Sequence, residues 1–211
     1  MSFANAFTRF GVIAEFKRRS PSAGDLRPNG DPAEVARAYE AAGALAMSVL
    51  VDERFGGSWD DLRAARAVTS LPLLAKGFFS TFEHLRTARE AGADAALLLL
   101  RDLDDDTCRA LMGEADTLVE AHDAAEVQRA LDLDAPVIGI NARDLSTFNV
   151  DRTAQLELVR TVSGRIVIAE SGIETAADAA EAKRAGASAV LVGSALMRAG
   201  DPGAKLREIL G

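Results

Sequence analysis

The sequence predicts an α/β fold, a single (β/α)8 TIM barrel that takes in residues 1–211. Two observations carry this expectation. A short phrase recurs three times: Ala42-Gly43-Ala44-Leu45-Ala46 before Met47–Leu50, Ala91-Gly92-Ala93-Asp94-Ala95 before Ala96–Leu100, and Ala185-Gly186-Ala187-Ser188-Ala189 before Val190–Gly193. Each time an Ala-rich helical stretch ends at a glycine, the residue a left-handed helix cap favours. An apolar strand follows at once. The second observation is that short apolar runs and helix-like segments alternate along the whole chain, eight of each.

The remaining strand candidates are Val12–Phe16, Leu71–Ala75, Thr117–Glu120, Pro136–Ile140 and Arg165–Ala169. Their continuous apolar character suits parallel strands covered on both faces. The helix-like segments lie near Asp31–Ala42, Trp59–Val68, Thr81–Ala91, Asp104–Met112, Ala124–Leu131, Arg152–Arg160, Glu174–Ala185 and Pro202–Leu210. Asp31-Pro32 reads as a cap followed by proline at the first helical position, and Ser58 with Asp61 as a capping box. The unit between Leu100 and Thr117 is short, so its helix should be among the smallest. No Ser/Gly/Pro-rich linker divides the chain, and the number of units favours a closed barrel over a doubly wound open sheet.

At 211 residues with 48% apolar and 27% charged residues, the chain is long enough to bury one large core without a metal or disulfide staple. Its formal charge of −8 argues against a face built for nucleic-acid phosphates. A small anion needs only a few placed cations and helix N-termini, so that ligand class stays open. The longest apolar run, Ala95–Leu100, is far shorter than the roughly 20 residues of a membrane span. Residues 1–10 lack a hydrophobic signal core, and the single cysteine, Cys108, fits a reducing compartment. The expectation is a cytoplasmic protein with no membrane or nucleic-acid partner.

Barrel enzymes place their chemistry at the C-terminal ends of the strands, and those ends are polar here. The first gives Glu15-Phe16-Lys17, followed by Ser20-Pro21-Ser22; the third ends at Lys76, and the fifth at Glu120 with His122 two residues on. The sixth gives Asn141-Ala142-Arg143-Asp144, the seventh Glu170-Ser171-Gly172 and the eighth Gly193-Ser194. Residues two apart on a strand share a face, so Glu15 and Lys17 point the same way, as do Asn141 and Arg143. A lone acid just past a strand is usually a solvated loop residue. Glu15 and Glu170 each end an apolar run, however, and a buried carboxylate needs a partner such as Lys17 or Lys76. Ser171-Gly172 and Gly193-Ser194 follow strands seven and eight, where barrels commonly hold a phosphate.

Other constellations are weak. There is no GxGxxG or Walker-type loop, and His84 and His122 lack metal-ligand spacing. His84 reads as a helix-face residue and His122 as a rim residue. Cys108 falls within a helix, Asp104-Asp105-Asp106 starts one, and Trp59 packs its own.

The polar strand ends sit in stretches that resemble the indole-3-glycerol phosphate synthase family of tryptophan biosynthesis. These stretches are Val12-Ile13-Ala14-Glu15-Phe16-Lys17-Arg18-Arg19-Ser20-Pro21-Ser22, Ser48–Ser58, Leu118-Val119-Glu120-Ala121-His122-Asp123, Ile138-Gly139-Ile140-Asn141-Ala142-Arg143-Asp144-Leu145, Ala169–Ile173 and Leu191–Met197. They run in family order from residue 12 to near the C-terminus. The first and fourth are distinctive; the last two occur in looser form in other phosphate-binding barrels.

The resemblance implies that 1-(2-carboxyphenylamino)-1-deoxyribulose 5-phosphate closes to indole-3-glycerol phosphate with loss of CO₂ and water. It implies no cofactor and no metal, and leaves room for association with other tryptophan-pathway enzymes. By the same resemblance Lys76 is the acid at the ketone oxygen, while Lys17 holds the substrate carboxylate and later helps as an acid. Glu15 and Glu120 move protons during dehydration, and Asn141 and Glu170 orient them. Ser20, Ser171, Gly172, Gly193 and Ser194 hold the phosphate, with Arg143 supporting the rim. Three features depart from the family pattern. Only Met1–Gly11 precede the first strand where the family has some tens of helical residues, so an open mouth is expected. Gly77 stands where the family has Asp after the lysine, which makes the placement of Lys76 a point to check. The fourth helix region is short. The alternatives are a catalytically weak paralogue serving as a scaffold or anion binder, and phosphoribosylanthranilate isomerase. The isomerase needs a Cys/Asp pair at strand ends, for which Cys108 is misplaced.

Overall fold

Alternation of inward and outward side chains along each strand divides the apolar residues into two separate cores. The computed structural model describes residues 3–20, 24–144 and 146–211; Pro21, Ser22 and Leu145 of the stretches quoted above lie outside them. Eight parallel strands close into a barrel: β1 (Gly11–Phe16), β2 (Ala46–Leu50), β3 (Leu73–Lys76), β4 (Ala95–Leu99), β5 (Thr117–Ala121), β6 (Val137–Asn141), β7 (Ile166–Glu170) and β8 (Ala189–Val192). Around them lie α1 (Pro32–Ala41), α2 (Trp59–Arg66), α3 (Phe82–Glu90), α4 (Asp105–Met112), α5 (Ala124–Asp132), α6 (Arg152–Thr161), α7 (Ala176–Ala185), a short α8 (Ser194–Arg198) and α9 (Pro202–Leu210). No helix among the described residues is long and apolar enough to cross a membrane.

Outward residues such as Val12, Ala14, Met47, Val49 and Ala75 pack against the helices. Inward residues, among them Ile13, Leu74, Leu118 and Ile168, form the inner core. The next inward positions, two residues on, are Glu15, Lys76, Glu120 and Glu170. The register that buries the inner core therefore delivers these side chains to one end of the barrel. The opposite end is closed by the chain itself. Phe3 is fully buried in the inner core, its ring meets Phe7 edge-on at 5.2 Å, and its N–H donates to Asp116 Oδ2 at 2.6 Å.

The three glycine joints are as the sequence implies. Gly43, Gly92 and Gly186 have φ of +89°, +100° and +112°. Each makes the same pair of bonds: Gly43 N–H to Glu40 O with Ala44 N–H to Tyr39 O, and likewise Gly92 to Arg89 with Ala93 to Ala88, and Gly186 to Lys183 with Ala187 to Ala182. That is the Schellman pairing, which satisfies the last helical carbonyls and turns the chain into the next strand. A fourth joint uses Asp134 at φ +60°, with Asp134 N–H on Leu131 O and Ala135 N–H on Ala130 O. The caps at Asp31, Ser58 and Asp104 form as expected.

Two features escape the sequence reading. Arg19–Ser20 and Gly24–Asp25 pair as a small antiparallel ladder, and α8 forms directly after β8. Two-residue strands and a five-residue helix are too short to show a period. Arg27 ties the two together: its guanidinium donates to Met197 O at 3.3 Å and to Ala199 O, carbonyls at the end of α8. α4 has eight residues, as few as α2.

A Cβ at Gly43 or Gly186 would meet no atom within 4 Å, so only backbone conformation opposes a side chain there. Gly43→Ala and Gly186→Ala should each cost about 1–2 kcal/mol in urea unfolding. Unchanged midpoints would show that the joints do not need a left-handed residue.

Candidate active site

The C-terminal ends of the strands surround a cavity of about 910 Å³. At its floor Lys76, at the end of β3, extends its ammonium among three carboxylates. Lys76 Nζ lies 2.5 Å from Glu170 Oε2, 3.5 Å from Glu120 Oε2 and 3.9 Å from Glu15 Oε1. A second cation, Lys17, pairs with Glu15 Oε2 at 2.6 Å. Asn141 donates from Nδ2 to Glu120 Oε1 at 2.8 Å, and its Oδ1 accepts the Arg143 N–H at 2.9 Å. Glu120 Oε2 and Glu170 Oε1 are buried without a hydrogen bond.

Burial opposes the charges of Glu15, Glu120, Glu170 and Lys76, and the neighbours decide each outcome. For Glu15, Lys17 and Lys76 outweigh burial and hold the carboxyl below its usual range. For Glu120, Lys76, His122 and Asn141 do the same. Glu170 goes the other way: burial, with Glu120 and Glu15 nearby, outweighs the pull of Lys76 and raises it. Burial also opposes the Lys76 charge, but Glu170, Glu120 and Glu15 together hold it protonated well above the usual lysine value. The site thus keeps two carboxylates ionised and one prone to protonation, a division of acid and base.

Glycine makes room for two of the acids. A Cβ on Gly139 of β6 would overlap Glu170 Oε1, and one on Gly193 would overlap Glu15 Oε2. Two helices hold the strand ends. The Tyr39 hydroxyl on α1 donates to Glu15 O at 3.0 Å, and Gln155 Nε2 on α6 bridges Ile140 O and Glu170 O at 2.7 and 2.6 Å. After the neighbouring strands β1, β7 and β8, Ser20, Ser171, Gly172, Gly193 and Ser194 line the same cavity. Ser171 and Gly172 are consecutive left-handed residues, φ +69° and +73°, an unfavourable conformation for the serine.

The model of the family described as indole-3-glycerol phosphate synthase matches residues 2–209. An indole-3-glycerol phosphate synthase of Nocardioides sp. is 48% identical over 207 residues, covering 95% of this chain and 80% of its own. An indole-3-glycerol phosphate synthase 2 of Streptomyces coelicolor is 47% identical with the same coverage. The chain belongs to the indole-3-glycerol phosphate synthase family. Among solved structures a thiamine phosphate pyrophosphorylase from Pyrococcus furiosus superposes with a TM-score of 0.71 at 17% identity, over 99% of this chain and 96% of its own. A mandelate oxidase variant does so with a TM-score of 0.67 at 21% identity, over 95% and 69%. These two likenesses are of fold.

In this family member all twelve residues expected at the site, from Glu15 to Ser194, line the one cavity. Lys76 sits at its centre although Gly77 follows it. Cys108 is buried in α4, where burial pushes its thiol up to about 11, and Trp59 stacks on Phe79 at 5.8 Å rather than facing the cavity. His84 accepts the Ser80 N–H at Nδ1, as a helix-face residue. Sequence reasoning missed Tyr39, Gln155 and Gly139, which act on the site through backbone carbonyls or by leaving space. It also read Gly193 as room for an anion alone, whereas the space beside it is shared with the Glu15 carboxylate.

Gly139→Ala should cost about 1–3 kcal/mol, the usual penalty for overpacking. Most of that cost should vanish in a Glu170→Ala background, measured as a double-mutant cycle by chemical unfolding. A penalty that persists would assign the clash to Leu118, the other close neighbour.

Proposed function

We propose that this chain, read as one barrel domain over residues 1–211, is an indole-3-glycerol phosphate synthase, a carboxy-lyase of tryptophan biosynthesis. The observation that carries the reading is the Lys76 ammonium set among Glu15, Glu120 and Glu170 in the cavity of a family member. A scaffold would have no use for such a cluster.

The substrate is an aniline bearing an ortho carboxylate, joined to a phosphorylated ketose. Ring closure joins the ring carbon that bears the carboxylate to the ketone carbon, and the ketone oxygen becomes an alkoxide. That oxygen is basic enough to take a proton from an ammonium, even one stabilised by three carboxylates. Lys76 supplies it. Lys17 lies at the mouth beside Glu15, placed to pair with the substrate carboxylate until CO₂ departs and the ring regains aromaticity. Loss of water then needs an acid at the hydroxyl and a base for the ring proton. Lys17 fills the first role, and Glu15 and Glu120, held ionised, are suited to the second. Asn141 and Glu170 orient these groups through Glu120 and Lys76. The balance is substrate to indole-3-glycerol phosphate, CO₂ and water.

The phosphate is assigned to Ser20, Ser171, Gly172, Gly193 and Ser194, which share one side of the mouth. Arg143 supports the rim, its Nη1 donating to Phe148 O at 3.1 Å. The soluble phosphorylated substrate and the buried free thiol of Cys108 support a place in the reducing cytoplasm.

Incubating the protein with the carboxyphenylamino-deoxyribulose phosphate should generate indole fluorescence. Lys76→Met should lower kcat by about 10²- to 10⁴-fold, the usual contribution of general acid catalysis, with a much smaller change in KM. It should also lower Tm, because three buried carboxylates lose their shared cation. Lys76→Arg keeps the charge but donates a proton poorly, so it should recover Tm while kcat stays low. Near-normal kcat in a folded Lys76→Met protein would remove the proton donor from this mechanism.

A further inference from the structure

Glu120 is held from two sides, and the second side lies outside the residues assigned above. His122 follows it by two residues, just past β5, and its imidazole bridges two carboxylates. Nε2 is 3.1 Å from Glu120 Oε1 and Nδ1 is 3.0 Å from Glu126 Oε2. The His122 N–H donates to the same Glu126 Oε2 at 2.8 Å. Glu126 sits in the first turn of α5, where its own N–H is capped by Asp123. The ring is thus anchored to a helix end at one nitrogen and meets the Glu120 carboxylate at the other.

The consequence lies in which oxygen of Glu120 is used. Asn141 and His122 both approach Oε1. Oε2 has no hydrogen bond and stands 3.5 Å from Lys76 Nζ. Rotating the carboxylate would break the Asn141 hydrogen bond and separate Oε1 from the imidazole, whose contact at 3.1 Å is an ion pair rather than a hydrogen bond, so Oε2 is held towards Lys76. We propose that His122 is a positioning residue, a cationic clamp between Glu126 and Glu120 that presents Glu120 Oε2 to the substrate as an ionised base. This rests on the synthase reading, since it assigns a role within that reaction.

The charges are consistent with the clamp. Burial disfavours the His122 cation, but Glu120 and Glu126 outweigh it and lift its pKa to about 9. The groups facing Glu120 are Lys76 and His122, which favour its ionised form, and Glu15 and Glu170, which oppose it. Removing the His122 cation should therefore make Glu120 easier to protonate, which moves the acid limb of kcat to higher pH.

The experiment pairs activity with a direct titration. The chain has only two histidines, so ring NMR signals can be assigned with a His84→Gln variant. In the wild-type protein the His122 ring should titrate near pH 9, and in Glu126→Gln at lower pH, with kcat changed in the same direction as in His122→Gln but less. In His122→Gln kcat should fall about tenfold with KM nearly constant, and the acid limb of its pH profile should lie above that of the wild type. Wild-type turnover with coincident pH profiles, even with a lowered Tm, would reduce His122 to a structural residue and overturn the clamp alone. A His122 ring titrating at its ordinary value near 6.5 would overturn it as well. No indole product from the wild-type protein would overturn the synthase reading, and the clamp with it. If His122→Gln fails to fold, Glu126→Gln carries both readouts.

Discussion

One ammonium group with three buried carboxylates around it is the constraint on which the upper half of this barrel depends. Each ion there has lost most of its water, and the attraction at 2.5–3.9 Å returns that loss only while all partners stay in place. Apolar residues of similar volume would stabilise such a position as well or better. A cluster of this kind is kept for its chemistry. What it offers is a set of similar groups pushed to different proton affinities. Lys76 stays charged, Glu15 and Glu120 stay ionised, and Glu170 resists ionisation. All three acids are buried near Lys76, so the differences come from what else each one faces: Lys17 for Glu15, His122 and Asn141 for Glu120, and two other carboxylates for Glu170.

The fold serves this cluster at several scales. Strand register selects which side chains point inward, and a single two-residue step turns Leu74 into Lys76 and Ile168 into Glu170 along the same line. Neighbouring strands then leave space. Gly139 and Gly193 stand where any larger residue would displace Glu170 or Glu15. Helices fix the strand ends through backbone carbonyls, as Tyr39 does at Glu15 and Gln155 at Ile140 and Glu170. A shift in any of these three kinds of support moves a charged group in a medium where small displacements carry large energies.

This hierarchy also explains what the sequence could reveal. The barrel was legible because its joints are local: an alanine-rich helix, a glycine with positive φ and an apolar run sit within about ten residues, and three copies share the pattern. The fourth copy was hidden because Asp134 takes the left-handed position that glycine takes elsewhere. Glu15, Lys76, Glu120 and Glu170 were legible as charges that end buried strands. Gln155 was not, because a glutamine within an amphipathic helix carries no sign of the two carbonyls it reaches 15 residues away in either direction. Gly139 looked like an ordinary strand residue, since the Glu170 side chain that needs its space arrives from the next strand. Local pattern encodes the scaffold, and tertiary contact encodes how the scaffold holds its acids.

Gly77 shows the same division at a site position where the family resemblance leads one to expect an aspartate. A Cβ there would lie 2.8 Å and 2.9 Å from two atoms of the Phe79 ring and 3.4 Å from Val51. Phe79 in turn stacks on Trp59, with the planes 21° apart. The space that a side chain at 77 would need is thus filled by an aromatic pair that joins this loop to α2. Lys76 keeps its place because other forces set it: pairing of Lys76 with Leu50 across β2 and β3, and the three carboxylates. A neighbouring aspartate is not required to hold the lysine. What Gly77 changes is the loop beyond, where Phe78 stands 42% exposed at the mouth with the Arg54 guanidinium 4.3 Å above its ring. The departure therefore falls on the cavity wall formed by Arg54, Gly77 and Phe78, and leaves the cluster around Lys76 as the strands build it.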